Sequence, residues 1–358
     1  MRVAVIGAGN GGQAIAGYLS VQGYCVSLYD RSEERVQQLL SQGGIYLEGK
    51  LKGFGKLSVV SSNLSKVVQA ADIIMITVVA NAHKIIAESL VNVLEDNQIV
   101  ILNPGRTCGA LEFKRTLVNF GCTKKLYIAE AQTLVYACRL IEEGRVNIIG
   151  IKDKVLLSAL PAKDTQYVLD KVAKIYPCFE QAENILRTSL ENIGAIFHPC
   201  VLLFNAATIE RNKEFYFYRD MTPRIANFIE EFDKERLAVG KAYGIDLLSV
   251  SEWISSAYSG IEGNTLCEKM KNNPAYYDIK SPSTIYTRQL LEDIPAGVLP
   301  ILELGKVAGL KMPLFESMVN ICSSLLGVDF ISDGRSLFNL GLAGLTKQEI
   351  IDVINGNT

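Results

Sequence analysis

The stretch Val3–Gly12, VAVIGAGNGG, decides how the first half of the chain reads. Val3 to Ile6 is a short apolar run suited to a strand buried on both faces of a parallel sheet. It passes directly into Gly7-Ala8-Gly9-Asn10-Gly11-Gly12, a G-x-G-x-x-G pattern, and then into a helical stretch from Gln13 to Gly23. In that context the glycines have separate tasks: Gly7 permits the tight turn, Gly9 lets the backbone approach a pyrophosphate, and Gly12 lets helix and strand pack closely. The helix start then offers unpaired N–H groups to the phosphates. A second strand, Cys25–Tyr29, ends at Asp30, about twenty residues past the glycines, where a carboxylate meets the adenosine ribose hydroxyls. A carboxylate there favours NAD, because it repels a 2′-phosphate. Arg31 beside it would bind that phosphate and keeps NADP open.

The alternation of strand and helix continues outward from this unit. Ile45–Glu48 and Gly55–Val60 read as short extra strands, Ala71–Val79 as a central one, and Asn81–Leu94 as a helix. Gln98–Leu102 is a strand ending at Asn103-Pro104-Gly105-Arg106-Thr107; Leu126–Glu130 and Asn147–Ile151 are two more. This is an α/β pattern, a Rossmann-type doubly wound sheet. Ligands of such sheets lie outside the carboxyl ends of the strands, so the loops Val79–His83, Asn103–Cys108 and Glu130–Tyr136 should border one crevice. His83 stands close to where a nicotinamide would rest, although a polar residue in a helix's first turn explains it equally well. Arg106 is the better anion contact, weighed against an ordinary surface arginine. Asn103 and Gln132 belong to the same crevice.

After Pro177 the pattern changes to amphipathic helices: Ser189–Arg211, Thr222–Tyr243, Val250–Ser259, Gly263–Lys271, Leu290–Ala308, Pro313–Gly327 and Lys347–Ile354. We therefore divide the chain into a dinucleotide-binding domain, residues 1–185, and an all-α substrate domain, residues 186–358. The first of these helices is apolar, yet Glu191, His198 and Asn205 recur every seventh position, on one helix face. Pro199 inside it removes a backbone bond and should bend it. Thr222 and Pro223 suit a cap and first turn. The charges from Glu230 to Arg236 read as a solvated face. Asp293, two residues before Pro295, is expected at a helix N-cap, with Arg288 shortly before it. A capping aspartate and a surface arginine would explain that pair without any chemistry.

Bulk properties narrow the class. The chain has 358 residues, 49% of them hydrophobic, and a formal charge of −2, which gives no polycation signal for nucleic acid or an anionic membrane. Its eight cysteines form no CxxC pair and read as reduced thiols. MRVAVIGAG reads as a strand rather than a leader, and no apolar run reaches the roughly 18 residues of a membrane span. A cytoplasmic protein is expected, with enough apolar helix surface for a homodimer.

Five motifs together resemble the NAD(P)-dependent opine dehydrogenases, the octopine/nopaline dehydrogenase family. They are GAGNGG, LNPGRTCGALEF (Leu102–Phe113), AEAQTLVYACR (Ala129–Arg139), ENIGAIFHP (Glu191–Pro199) and TRQLLEDIP (Thr287–Pro295). The resemblance spans nearly the whole chain. It implies reductive condensation of an amino acid's amino group with a 2-oxo acid, often pyruvate, to a secondary-amine dicarboxylate. It further implies that His198 and Asp293 form the catalytic couple and that Arg288 binds a substrate carboxylate. The chemistry agrees: histidine is matched to proton transfer near neutral pH, and an arginine fork suits a carboxylate. Ketopantoate reductase and glycerol-3-phosphate dehydrogenase relatives use a lysine as proton donor, and positions 190–205 contain none. A catalytically silent nucleotide-binding sensor gives no reason for His198, Asp293 and Arg288 to converge. The loops Phe215–Asp220 and Asn272–Ser281 carry the residues that select the amino acid.

Overall fold

The structure, a computed structural model, describes residues 1–258 and 260–357. Ser259, the end of one expected helix, and Thr358 lie outside the described residues. The chain forms two compact units: Met1–Ser189 together with the residues from Asp352 on, and Leu190–Ile351.

Among the described residues of the first unit, strands group into two sheets. The larger runs β12-β11-β8-β7-β6-β1-β2-β5, where β1 is Arg2–Ile6, β2 Cys25–Tyr29, β5 Val59–Ser61, β6 Ile73–Ile76, β7 Ile99–Leu102, β8 Tyr127–Ala131, β11 Val155–Leu160 and β12 Phe179–Gln181. β1 sits between β2 and β6, both parallel to it, with Val3 opposite Val26 and Ile73. The chain thus leaves β1 to one side for β2 and returns on the other for β6. That reversal opens at the carboxyl end of β1, where the glycine loop begins, as expected for a doubly wound sheet. β6 and β7 are buried at every position, which is why they read as unbroken apolar runs.

A smaller sheet runs β4-β3-β10-β9, with β3 Gly44–Gly49, β4 Gly53–Lys56, β9 Tyr136–Glu142 and β10 Arg145–Ile151. Two sequence assignments change here. The Gly55–Val60 strand is two strands in different sheets, and Asn147–Ile151 pairs with β3 rather than with the main sheet. Glycines set how closely this sheet covers helix Asn10–Val21: a Cβ at Gly55 would stand 2.4 Å from the Gly17 carbonyl oxygen.

In the second unit the helix Pro223–Ala242 is capped by Thr222, whose hydroxyl accepts from the Ile225 N–H at 3.4 Å. The Phe232 ring stacks on Phe315 at 4.1 Å, joining this helix to Pro313–Leu326. The charge run on it is a solvated face only in part: Glu231 and Lys234 are exposed, but two of the charges turn inward. Asp233 and Arg236 are buried, and Arg236 donates to Asp233 at 2.6 Å and to the carbonyls of Leu190 and Leu248, while Asp233 accepts from the Val250 N–H. A buried guanidinium is tolerable when its donors are used this fully. The expected helix Ser189–Arg211 is broken into Ile185–Leu190, Gly194–Phe204 and Ala206–Glu210. Glu191 therefore precedes the helix that carries His198 and does not share its face. The expected helix Leu290–Ala308 is likewise segmented, into Arg288–Leu291, a π-helical turn Ile294–Val298 and Leu299–Val307. Among the described residues no single helix is long and apolar enough to cross a membrane.

Candidate active site

The glycine loop has the shape of a phosphate cradle, and its glycines differ in what demands them. Gly7 has φ +103°, a conformation other residues rarely adopt. A Cβ on Gly12 would lie 1.7 Å from the Gly7 carbonyl oxygen, so helix and strand meet there backbone to backbone. Gly9 is different. Its φ of −76° and ψ of −169° suit any residue, and a Cβ there would meet nothing within 4 Å. The fold itself places no demand on Gly9; the open space beside it, at the start of helix Asn10–Val21, fits a pyrophosphate. A Cβ on Gly11 would meet Leu134, and Asn10 ties the loop to β9 by accepting from the Leu140 N–H at 3.0 Å.

Asp30 stands at the end of β2 and is buried. Its Oδ2 accepts from the Ala8 N–H at 2.8 Å, its Oδ1 from the Ser32 N–H at 2.9 Å, and Arg35 reaches both oxygens at 3.2 Å. Arg35 also donates to Glu143 at 2.9 Å, and Glu143 accepts from Gln13 at 2.6 Å. Sequence reading missed Arg35 and Glu143. The first sits one turn into the helix capped by Ser32, and the second lies on the β9–β10 turn, which pairing across the small sheet brings near. Arg31 is exposed.

The loop after β7 is built around a carboxylate that the sequence did not single out. Glu130 is fully buried; its Oε1 accepts from the Thr188 and Ser189 hydroxyls at 2.6 and 2.9 Å, and its Oε2 from the Ala110 N–H at 2.8 Å. A Cβ on Gly105 would stand 2.5 Å from Glu130 Cβ, so the loop is pressed onto this carboxylate. Arg106 and Cys108 take left-handed backbone, φ +58° and +60°, each at a cost of about 1 kcal/mol or more. Asn103 is buried and its amide donates back to the Ile101 carbonyl at 2.9 Å and toward Met75 sulfur, which turns it into the sheet. Gln132 is half-buried and bonds through its backbone to Leu156. His83 is fully buried as the first residue of helix His83–Leu90.

In the second unit His198 and Asp293, far apart in sequence, meet. His198 Nδ1 lies 2.6 Å from Asp293 Oδ2, with the aspartate 2% and the histidine 18% exposed. Small residues allow this approach: a Cβ on Gly297 would come within 2.6 Å of Ala195 Cβ, one turn before His198. Asp293 takes the expected N-cap position, at the start of the π-helical turn, but its side chain caps no N–H there. Because a carboxylate only accepts, Nδ1 carries the proton of the neutral imidazole and Nε2 is left as the accepting nitrogen. That nitrogen faces the Tyr218 hydroxyl at 3.0 Å. Phe217 stands edge-on to the imidazole at 5.9 Å.

Tyr218 comes from the loop Phe215–Asp220, which pairs with the loop Asn272–Ser281 through the Phe217 N–H to the Ile279 carbonyl and the Ser281 N–H to the Phe215 carbonyl, both 2.7 Å. Its ring stacks on Tyr276 at 4.5 Å, and burial together with the neighbouring Tyr258 and Tyr218 phenols keeps the Tyr276 hydroxyl protonated far beyond the ordinary range. Arg288, more than half exposed, ion-pairs with buried Glu292 at 3.1 Å. Asn205 does not join the site: its amide donates to the Val201 carbonyl of its own helix at 2.8 Å. Pro199 lies inside helix Gly194–Phe204, which continues through it.

A doubly wound sheet with a pyrophosphate cradle, followed by a helical unit holding a histidine–aspartate couple, defines a two-domain NAD(P)-dependent dehydrogenase. Known proteins sharpen the class. Residues 181–326 match the model for the alpha-helical domain of NAD/NADP octopine/nopaline dehydrogenases, and residues 2–106 match the NAD binding domain of 6-phosphogluconate dehydrogenase. An opine dehydrogenase of Arthrobacter sp. (strain 1C) is 36% identical over 349 residues, 97% of each chain. Solved structures of octopine dehydrogenase, one with NADH and L-arginine and one with NADH and pyruvate, share the fold with TM-scores of 0.80 and 0.79 at 19% and 18% identity, covering 100% of this chain and 98% of theirs. The chain belongs to the opine dehydrogenase family and is an NAD(P)-dependent opine dehydrogenase.

Proposed function

We propose that the enzyme condenses an amino acid with pyruvate and reduces the resulting imine, using His198 as acid–base group, Asp293 as its orienter and Arg288 as a carboxylate anchor. The observation that carries this reading is the 2.6 Å contact between His198 and Asp293. The buried carboxylate fixes the ring's orientation and its tautomer. Charged, the imidazole polarises the oxo-acid carbonyl as the amine attacks, then protonates the departing oxygen as the imine forms. Bound NAD(P)H supplies the hydride. Glu292 steadies one side of Arg288 and leaves the remainder of the fork for a substrate carboxylate. NAD is the preferred coenzyme on this reading, since Asp30 places its buried negative charge at the end of β2; the relative kcat/KM for NADH and NADPH measures that preference.

Octopine dehydrogenase in complex with pyruvate supports pyruvate as oxo acid. The test is NADH oxidation with pyruvate and a panel of amino acids, for wild type and His198→Ala. We expect turnover to fall at least about a hundredfold in the variant while NADH affinity stays unchanged. Turnover near wild type removes His198 from the chemistry.

A further inference from the structure

We propose that Tyr218 relays the proton between His198 and the reacting oxygen. The inference rests on the acid–base reading of His198 and adds to it the group that faces the substrate. Three observations lead here. The Tyr218 hydroxyl lies 3.0 Å from His198 Nε2, the one ring nitrogen not committed to Asp293. Tyr218 is 8% exposed and its ring is clamped, stacked on Tyr276 at 4.5 Å and edge-on to Phe217 at 4.8 Å. Its carbonyl accepts from the Met221 N–H, and the Phe217 N–H bonds across to the Ile279 carbonyl, so the backbone on either side is held too. A hydroxyl fixed on that nitrogen stands in the line along which His198 exchanges its proton.

A phenol suits both protonation states of the ring. Beside neutral imidazole its O–H donates to Nε2; beside imidazolium its oxygen accepts from Nε2–H, which frees the phenolic proton to point elsewhere. When the tetrahedral adduct of amine and oxo acid loses its hydroxyl, the Nε2 proton passes to Tyr218 Oη as the phenolic proton passes to the departing oxygen. One N–H and one O–H bond break and two O–H bonds form. The C–O bond breaks with its electron pair leaving on water, the nitrogen lone pair closes the C=N bond of a protonated imine that now carries the positive charge, and nothing is oxidised. Tyrosine is regenerated and the imidazole is left neutral, as it began before protonation from solvent.

The alternative is a placeholder: the hydroxyl merely occupies Nε2 until substrate displaces it. Tyr218→Phe separates the two, because it keeps the ring stack and removes one oxygen. A relay predicts kcat at least about tenfold lower with an unchanged KM for NADH. It also predicts that the dependence of turnover on D2O fraction changes from curved, two protons in flight, to linear, one proton. Replacement of Tyr218 by 3-fluorotyrosine, which retains both ring and hydroxyl, is expected to restore the curved dependence. A Tyr218→Phe enzyme within twofold of wild type overturns the relay, as does one slowed with the same D2O dependence as wild type. His198→Ala measured alongside keeps the two readings apart. Full activity there defeats the acid–base role itself, whereas loss there beside an unaffected Tyr218→Phe enzyme defeats only the relay.

Discussion

Gly9→Ala tests whether the first unit's cradle is built for a pyrophosphate, because nothing in the protein explains a glycine there. Its backbone angles suit alanine, and the new methyl would meet no protein atom within 4 Å. For the fold, the change is nearly neutral. Lower entropy of the unfolded chain contributes about 0.5 kcal/mol of stability, and alanine at a helix N-cap loses about as much. The melting temperature should move by less than about 2 °C. Coenzyme binding should suffer instead, since the methyl enters the space that phosphate oxygens take against the helix start. Displacing a phosphate from one or two backbone N–H donors forfeits about 1.5–3 kcal/mol, or roughly 10–100-fold in Kd. Gly12→Ala is the counter-case: its Cβ would stand 1.7 Å from a backbone oxygen, which no rotamer change relieves, so stability should fall by about 3 kcal/mol or more. Fluorescence titration with NADH and thermal melting read the two effects separately. Unweakened NADH binding by a well-folded Gly9→Ala protein would refute the cradle.

Gly297→Ala should act at a distance from the nucleotide. Its methyl must push against Ala195 at 2.6 Å, parting the π-helical turn from the His198 helix and lengthening the 2.6 Å contact to Asp293; we expect kcat to drop about tenfold, since loss of near 1.4 kcal/mol from a charge-assisted bond is a factor of ten, with NADH Kd unchanged. Equal kcat in the variant would show that the contact tolerates the shift. Asp233→Leu should destabilise by about 3–5 kcal/mol, because it strands the fully buried Arg236 charge. Asp233→Leu combined with Arg236→Met should cost less than that single change, and urea unfolding that ranks the double variant below Asp233→Leu would contradict the argument.

How much was legible beforehand depended on whether the cause was local. The glycine loop was, because G-x-G-x-x-G encodes turn, approach and packing within six neighbouring residues, and the strand pattern before it needed only burial on both faces. What escaped was set by residues distant in sequence. Glu143 meets Arg35 only because the small sheet folds β9 and β10 against helix Asn10–Val21, and Glu130 looked like any residue at a strand's end until Thr188 and Ser189 arrived beside it. Seven-residue spacing misled at Glu191, where the helix breaks at Glu191–Ile193 and the periodicity has no helix to act on. Counting charges misled at Asp233 and Arg236, since composition cannot distinguish a solvated run from one whose members satisfy each other and two carbonyls in the interior. Tyr218 shows the boundary best. Its loop was expected to carry residues that select the substrate, but the residue that reaches Nε2 emerges only when the strand-like pairing of residues 215–217 with 279–281 fixes which side chain turns inward. For this chain local spacing marks the proposed nucleotide loop, whereas the proposed proton path has to be traced through tertiary contacts: Asp293 to His198 across a glycine–alanine crossing, and His198 to a tyrosine held by a second loop.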